Sequence, residues 1–229
     1  MIEIHAYHGW GFDGHFWDNL RSEIPAGILF KSADRGYFGG VFEPEFTANT
    51  EVKVIFTHSF GLHWCPKEKI NQANILVIFN GFSDFLPTDF FERRKEGKIL
   101  KRMHDQFKNS PEVVLNAFYK NCFFPQKSDQ SVPEWINQSL LAKDLIALKK
   151  TKFARPKSDL EIHSITGEDD QIASNERTEE LIEQNRIDKS MKFNGFGHAL
   201  PIVNSSGCWS YLIGVLPIFE EYANKNGFK

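Results

Sequence analysis

The 229-residue chain is short of cysteine: it has three, Cys65, Cys122 and Cys208, an odd number set far apart with no Cys-x-x-Cys pair. That excludes a disulfide framework and a zinc ribbon, and makes a reducing cytosol the expected compartment. Long apolar runs are missing too. The longest, residues 75–79, is well below the ~20 residues that a membrane-spanning helix needs. The start, MIEIHAYHGWG, has no basic stretch leading into an apolar one, so no secretion signal is expected. Nor does one sign of charge dominate: 27 Lys and Arg face 30 Asp and Glu, a net charge of −3. Neither nucleic acid nor a membrane is therefore an expected partner. What the chain has in excess is phenylalanine, 22 residues, which lift aromatic content to 14%. Hydrophobic residues at 41% and charged residues at 25% are those of an ordinary globular chain, one domain with at most an insertion.

Short β-rich runs bounded by Gly, Pro, Asn or Asp recur at residues 2–7, 27–30, 52–56, 75–79, 160–165 and 191–193, and are predicted strands. Helical patterns lie at 15–24, with Phe16, Leu20 and Ile24 on one stripe, at 174–184, and at 209–224 with a stop at Gly227. The alternation predicts an α/β fold, a mostly parallel sheet with helices on both faces. Residues 83–148 break it. They carry only helical signals: 90–107, then 113–122 led by Ser110 as cap and Pro111 in the first turn, then 134–148. The expected organisation is a first core segment (1–82), an inserted helical cap (83–148) and a second core segment (149–229). The basic cluster Arg93, Arg94, Lys95, Lys98, Lys101 and Arg102 is offset by Asp89, Glu92, Glu96 and Asp105, and reads as a solvated helix face.

Chemistry concentrates at the predicted strand ends. After strand 52–56 comes Thr57-His58-Ser59-Phe60-Gly61. A serine on a sharp strand-to-helix turn exposes its hydroxyl above the sheet, and the N–H of the next residue, Phe60, points to the same place. Taken alone this is weak, because Thr57 stands where a glycine is usual. After the first strand, His8-Gly9-Trp10-Gly11 occupies the place of an oxyanion loop, where the Trp10 N–H would be the second donor. Strand 160–165 runs into Thr166-Gly167-Glu168-Asp169-Asp170, and the last strand is followed by Phe196-Gly197-His198, a histidine suited to general-base work on a loop. The chain order Ser59, Asp170, His198 is the one a nucleophile-elbow fold uses. Asp169 and, less so, Asp84 are the other candidates for the acid.

The stretch from His8-Gly9-Trp10-Gly11 to Trp17, the run Asp34-Arg35-Gly36-Tyr37-Phe38-Gly39, the Ser59 turn, Gly167-x-x-Asp170 and Gly197-His198 together resemble the α/β-hydrolase superfamily. Within it they look most like the pimeloyl-[acyl-carrier protein] methyl ester esterases of biotin synthesis. The resemblance implies a serine carboxylesterase with Ser59 as nucleophile, His198 as base, Asp170 as orienting acid, and oxyanion donors at Trp10 and Phe60. It implies no cofactor or metal, and a small acyl ester substrate that acyl-carrier protein can carry. Where those esterases hold the carrier with cap arginines, this chain has Val113 and Ala117, so the Arg93–Arg102 cluster is the substitute to consider. His58, Phe82 and Phe118 are the expected pocket residues; Phe85, Phe90, Phe91, Phe123 and Phe124 divide between cap core and acyl slot. His5, His15, His63, His104 and His163 lack ligand spacing and read as structural, and Cys65 as buried packing. A general small-ester carboxylesterase, a thioesterase and a hydrolase-fold ligand-binding protein remain alternatives.

Overall fold

The computed structural model describes residues 1–225, so the expected helix stop at Gly227 lies outside the described residues. Six strands, β1 (Ile2–Tyr7), β2 (Leu29–Ala33), β3 (Val52–His58), β4 (Ile75–Phe79), β5 (Glu161–Gly167) and β6 (Lys189–Phe193), form one sheet. Every pairing is parallel and the order is β2-β1-β3-β4-β5-β6. All positions of β1 and β4 are buried, as a sheet covered on both faces requires. Glu3 and His5 survive inside β1 because Glu3 takes hydrogen bonds or charge from His5, Lys31, Thr47 and Thr50.

The edges depart from the expected bounds. Residues 27–28 stay in a turn closed by the Ile28 N–H on the Pro25 carbonyl, and pairing with β1 carries β2 on to Ala33. At the other edge β6 starts early with exposed Lys189 and Ser190, charge and polarity that an unpaired edge tolerates.

A 3₁₀ turn (Gly14–Trp17) and α1 (Asp18–Glu23) pack on one face of the sheet with α8 (Leu200–Val203), α9 (Ser205–Val215) and α10 (Pro217–Lys225). The other face holds α2 (Gly61–Trp64), α3 (Lys67–Gln72) and α7 (Asn175–Asn185). The expected single helix 209–224 is two, because Pro217 has no N–H to continue α9 and instead starts α10.

Between β4 and β5 lie the cap helices α4 (Phe90–Asn109), α5 (Pro111–Phe123) and α6 (Gln138–Ala147). Asp89 caps α4 by accepting from the N–H groups of Phe91 (3.0 Å) and Glu92 (2.9 Å). Ser110 occupies the cap position of α5, but its side chain makes no capping bond, so Pro111 alone sets that start. Asn137 caps α6 through the Leu140 N–H, so the helix begins at 138 rather than 134.

One buried acid fastens the cap to the core. Asp144 of α6 accepts two bonds from the Arg35 guanidinium, at 2.8 and 3.0 Å, and a third from the Tyr37 hydroxyl at 2.9 Å. Asp144→Ala is expected to cost about 3 kcal/mol, because a half-buried guanidinium loses its partner. A denaturant midpoint unchanged from wild type would contradict this anchoring role.

Candidate active site

β3 ends at His58 and the chain turns at once into α2. Ser59 sits on that turn with φ +53°, a left-handed conformation that costs a non-glycine residue roughly 1–3 kcal/mol. Its N–H is held by the Phe79 carbonyl at the end of β4, 3.0 Å away. Gly61 has no alternative, since a Cβ there would lie 2.1 Å from the Tyr7 carbonyl oxygen. The position two before the serine is different. Thr57 is still in β3, level with Tyr7 and Ile78, and its side chain is buried there.

The loops after β5 and β6 meet Ser59 from the other side. Gly167 ends β5 so close to the Phe196 carbonyl that a Cβ would fall 2.2 Å from it, which brings the loop of Asp170 against the loop of His198. His198 Nδ1 and Asp170 Oδ2 are 2.7 Å apart. Asp170 Oδ1 accepts from the N–H groups of Ile172 (2.7 Å) and Ala173 (3.0 Å), and Oδ2 also accepts from Asn80 Nδ2 (2.8 Å). Three N–H donors already converge on this carboxyl group, so it acts as an acceptor and Nδ1 of His198, in contact with it, carries the proton. Nε2 of His198 is then a bare acceptor, buried and without a partner among the described residues.

The third approach is the loop after β1. A Cβ on Gly9 would lie 3.0 Å from Ser59 Cβ, so the Gly9–Trp10 peptide lies alongside the serine. His8 braces it: its Nδ1–H donates to the Gly9 carbonyl (2.8 Å), and its Nε2 accepts the Arg35 N–H (3.1 Å). The Trp10 indole donates to the Leu141 carbonyl of α6 (2.8 Å), and Tyr119 of α5 donates to the Gly11 carbonyl (2.7 Å). The backbone N–H groups of Trp10 and Phe60 have no acceptor among the described residues.

Ser59, Trp10 and Phe60 line a cavity of about 480 Å³ to which residues of α4, α5 and α6 also contribute. Its walls are Phe82, Phe85, Leu100, Met103, Phe118 and Leu145, with Lys95, Glu96 and Arg177 among its charged lining. Its apolar majority suits an acyl chain, and its polar groups can fix the orientation of an ester. Phe82 and Phe118, expected at the pocket, line this cavity. His58 is not. It is fully buried behind Ser59, stacked on Phe16 with ring centroids 4.2 Å apart, and does not line the cavity. Phe90, Phe91 and Phe124 are in neither cap core nor slot; at 68%, 76% and 47% exposure they sit where no neighbouring element covers them. Asp84 pairs with Arg93 and Lys152 rather than with His198, and Asp169 meets the His198 loop only through its backbone N–H on the Phe196 carbonyl.

Asn80 escaped the sequence reading. It follows β4 directly with φ +47° and joins Asp170 to the loop of His198. The legible signal is an Asn-Gly pair closing an apolar strand, which tolerates a left-handed backbone.

His63 of α2 stacks between Phe60 and Phe82, 6.0 and 4.8 Å from their ring centroids, and its Nε2 donates to the Phe82 carbonyl. Burial pushes its pKa down to about 4. As pH falls from about 6.5 to 4 the unfolded chain binds a proton that the folded one refuses, so stability declines through that window. With the residue as a whole only half-buried, the loss is about 2 kcal/mol. His63→Gln should flatten this part of the melting temperature against pH; an unaltered slope would refute the assignment.

No protein-family model matches the sequence, and no curated protein does. Solved structures do. An esterase from Thermogutta terrifontis superposes with TM-score 0.72 at 13% identity, covering 96% of this chain and 90% of that one. An esterase from Exiguobacterium antarcticum gives 0.73 at 14%, covering 94% and 91%. A bromoperoxidase from Bacillus anthracis gives 0.74 at 15%, covering 96% and 92%. The chain has the α/β-hydrolase fold.

Proposed function

We propose that the protein is a serine carboxylesterase in which Ser59 is the nucleophile, His198 the general base and Asp170 the acid that orients it. The observation that carries this reading is the bare Nε2 of His198, its other nitrogen held at 2.7 Å by Asp170, which lines the same cavity as a serine on a strained turn. His198 takes the Ser59 proton as the hydroxyl oxygen attacks the ester carbonyl. The oxyanion is stabilised by the N–H groups of Trp10 and Phe60. The imidazolium returns its proton to the departing alcohol, leaving an acyl-serine, and water activated by the same histidine releases the acid. Ser59 Oγ and His198 Nε2 are not hydrogen-bonded at rest, as is common before substrate binds.

The sharper form of the proposal is hydrolysis of pimeloyl-[acyl-carrier protein] methyl ester in a reducing cytoplasm. It is supported by the apolar majority of the cavity lining and by Arg94, Lys98 and Arg102, exposed on α4 and free to meet an acidic carrier. The test is a fluorophosphonate: an adduct mapped to Ser59 is expected, and none would sink the esterase reading. Growth rescue of a biotin-requiring bacterium lacking its methyl ester esterase, by the wild type and not by Ser59→Ala, tests the sharper form.

A further inference from the structure

His58 is a histidine with no evident need to be one. It has no solvent contact, it does not line the Ser59 cavity, and Nδ1 has no partner among the described residues. A buried nitrogen left unpaired costs about 1–3 kcal/mol, so the other nitrogen must do something an apolar side chain could not. That nitrogen, Nε2, lies 2.9 Å from the carbonyl oxygen of His198. A carbonyl only accepts, so Nε2 carries the proton and His58 is the neutral Nε2–H tautomer. Burial, and the charge of His198 whose ring centroid is 4.7 Å away, push its pKa well below the ordinary histidine value.

The loop His58 holds needs holding. It reads Asn194-Gly195-Phe196-Gly197-His198, and Gly195 takes φ +80°. Its carbonyls are gripped by Gln126 at Gly195 (2.6 Å), by the Asp169 N–H at Phe196 (2.9 Å), by Asn80 at Gly197 (3.4 Å) and, at His198 itself, by His58. His58 is also the residue bonded directly to Ser59. On the esterase reading, which this inference rests on, one side chain thus joins the turn of the nucleophile to the backbone of the base.

We propose that His58 is a positioning residue, setting the approach of His198 to Ser59 by donating Nε2–H to the base's own carbonyl. Phe16, stacked on one side, and Gly9, whose missing Cβ would lie 2.7 Å from Nδ1, fix the plane of the ring. The ring stays neutral when His198 becomes charged during turnover, so the donor is present at every step.

The test compares His58→Ala with His58→Gln, whose side-chain amide can reach the same carbonyl. His58→Ala is expected to lower kcat by up to about 10²-fold, the penalty for a base misplaced by an ångström, with KM within about twofold. His58→Gln is expected to recover most of that loss. Unchanged kcat in the alanine variant, or an equal loss in both at wild-type melting temperature, would overturn the proposal. Should neither variant fold, imidazole ¹⁵N shifts of the wild-type enzyme decide it. A neutral Nε2–H form between about pH 5 and 8 supports the role, and an Nδ1–H or charged form overturns it. Phosphonate labelling of wild-type Ser59 is run alongside, so that failure of the esterase reading is seen separately.

Discussion

Ser59→Ala is expected to lower turnover of a chromogenic acyl ester about 10⁶-fold, the loss seen when a hydrolytic nucleophile is removed. The fold should survive. The serine's place is held by its backbone, through the Phe79 carbonyl, and its hydroxyl makes no bond that the core depends on. The same geometry predicts an asymmetry between two inactive variants. Alanine keeps the strain of φ +53°, whereas glycine relieves it, so Ser59→Gly should be more stable than wild type by about 1 kcal/mol. Residual activity within about 10²-fold of wild type, or a glycine variant less stable than the alanine one, would contradict the assignment of strain to function at this turn.

Asp170→Asn should cost about 10⁴-fold in kcat. The carboxylate receives four donors: two backbone N–H groups on Oδ1, and Asn80 with His198 on Oδ2. An amide can satisfy the backbone pair only by turning its NH₂ toward Asn80 and His198. It then meets one donor outright and presses the imidazole toward the tautomer whose proton sits on Nε2, which cannot accept from serine. Asp169→Asn and Asp84→Asn are the controls, expected to change kcat less than about twofold because neither side chain bonds His198. A large loss in either, with Asp170→Asn near wild type, would move the acid elsewhere.

How much of this was readable in the residues differs by level. β1 and β4 match their predicted bounds because each is a short β-rich run bounded at both ends, and burial on both faces leaves little freedom in where it stops. The edge strands and the C-terminal helices were misplaced, since an edge takes its limits from its neighbour's register and one proline outweighs an apolar periodicity. At the site, Ser59, Asp170 and His198 each announce themselves by a glycine nearby: Gly61, Gly167 and Gly197 are demanded by backbones 1.9 to 2.2 Å from any added Cβ. Close approach of that kind leaves a mark in sequence. His58 leaves none that separates a pocket residue from a buried donor, because both readings want a polar ring beside the serine.

The amino-acid order alone determined which strand ends carry reactive groups, since backbone sterics and apolar patterning act locally and admit few residue types at a tight turn. Only the tertiary structure decided which nitrogen of which histidine faces which oxygen, why Asp170 rather than its neighbour meets His198, and that Asn80 and His58 grip the loop of His198. Those are contacts between residues 28 to 140 positions apart, and hydrogen-bond partners at such separations are chosen by how the sheet stacks its strand ends, which no local pattern records.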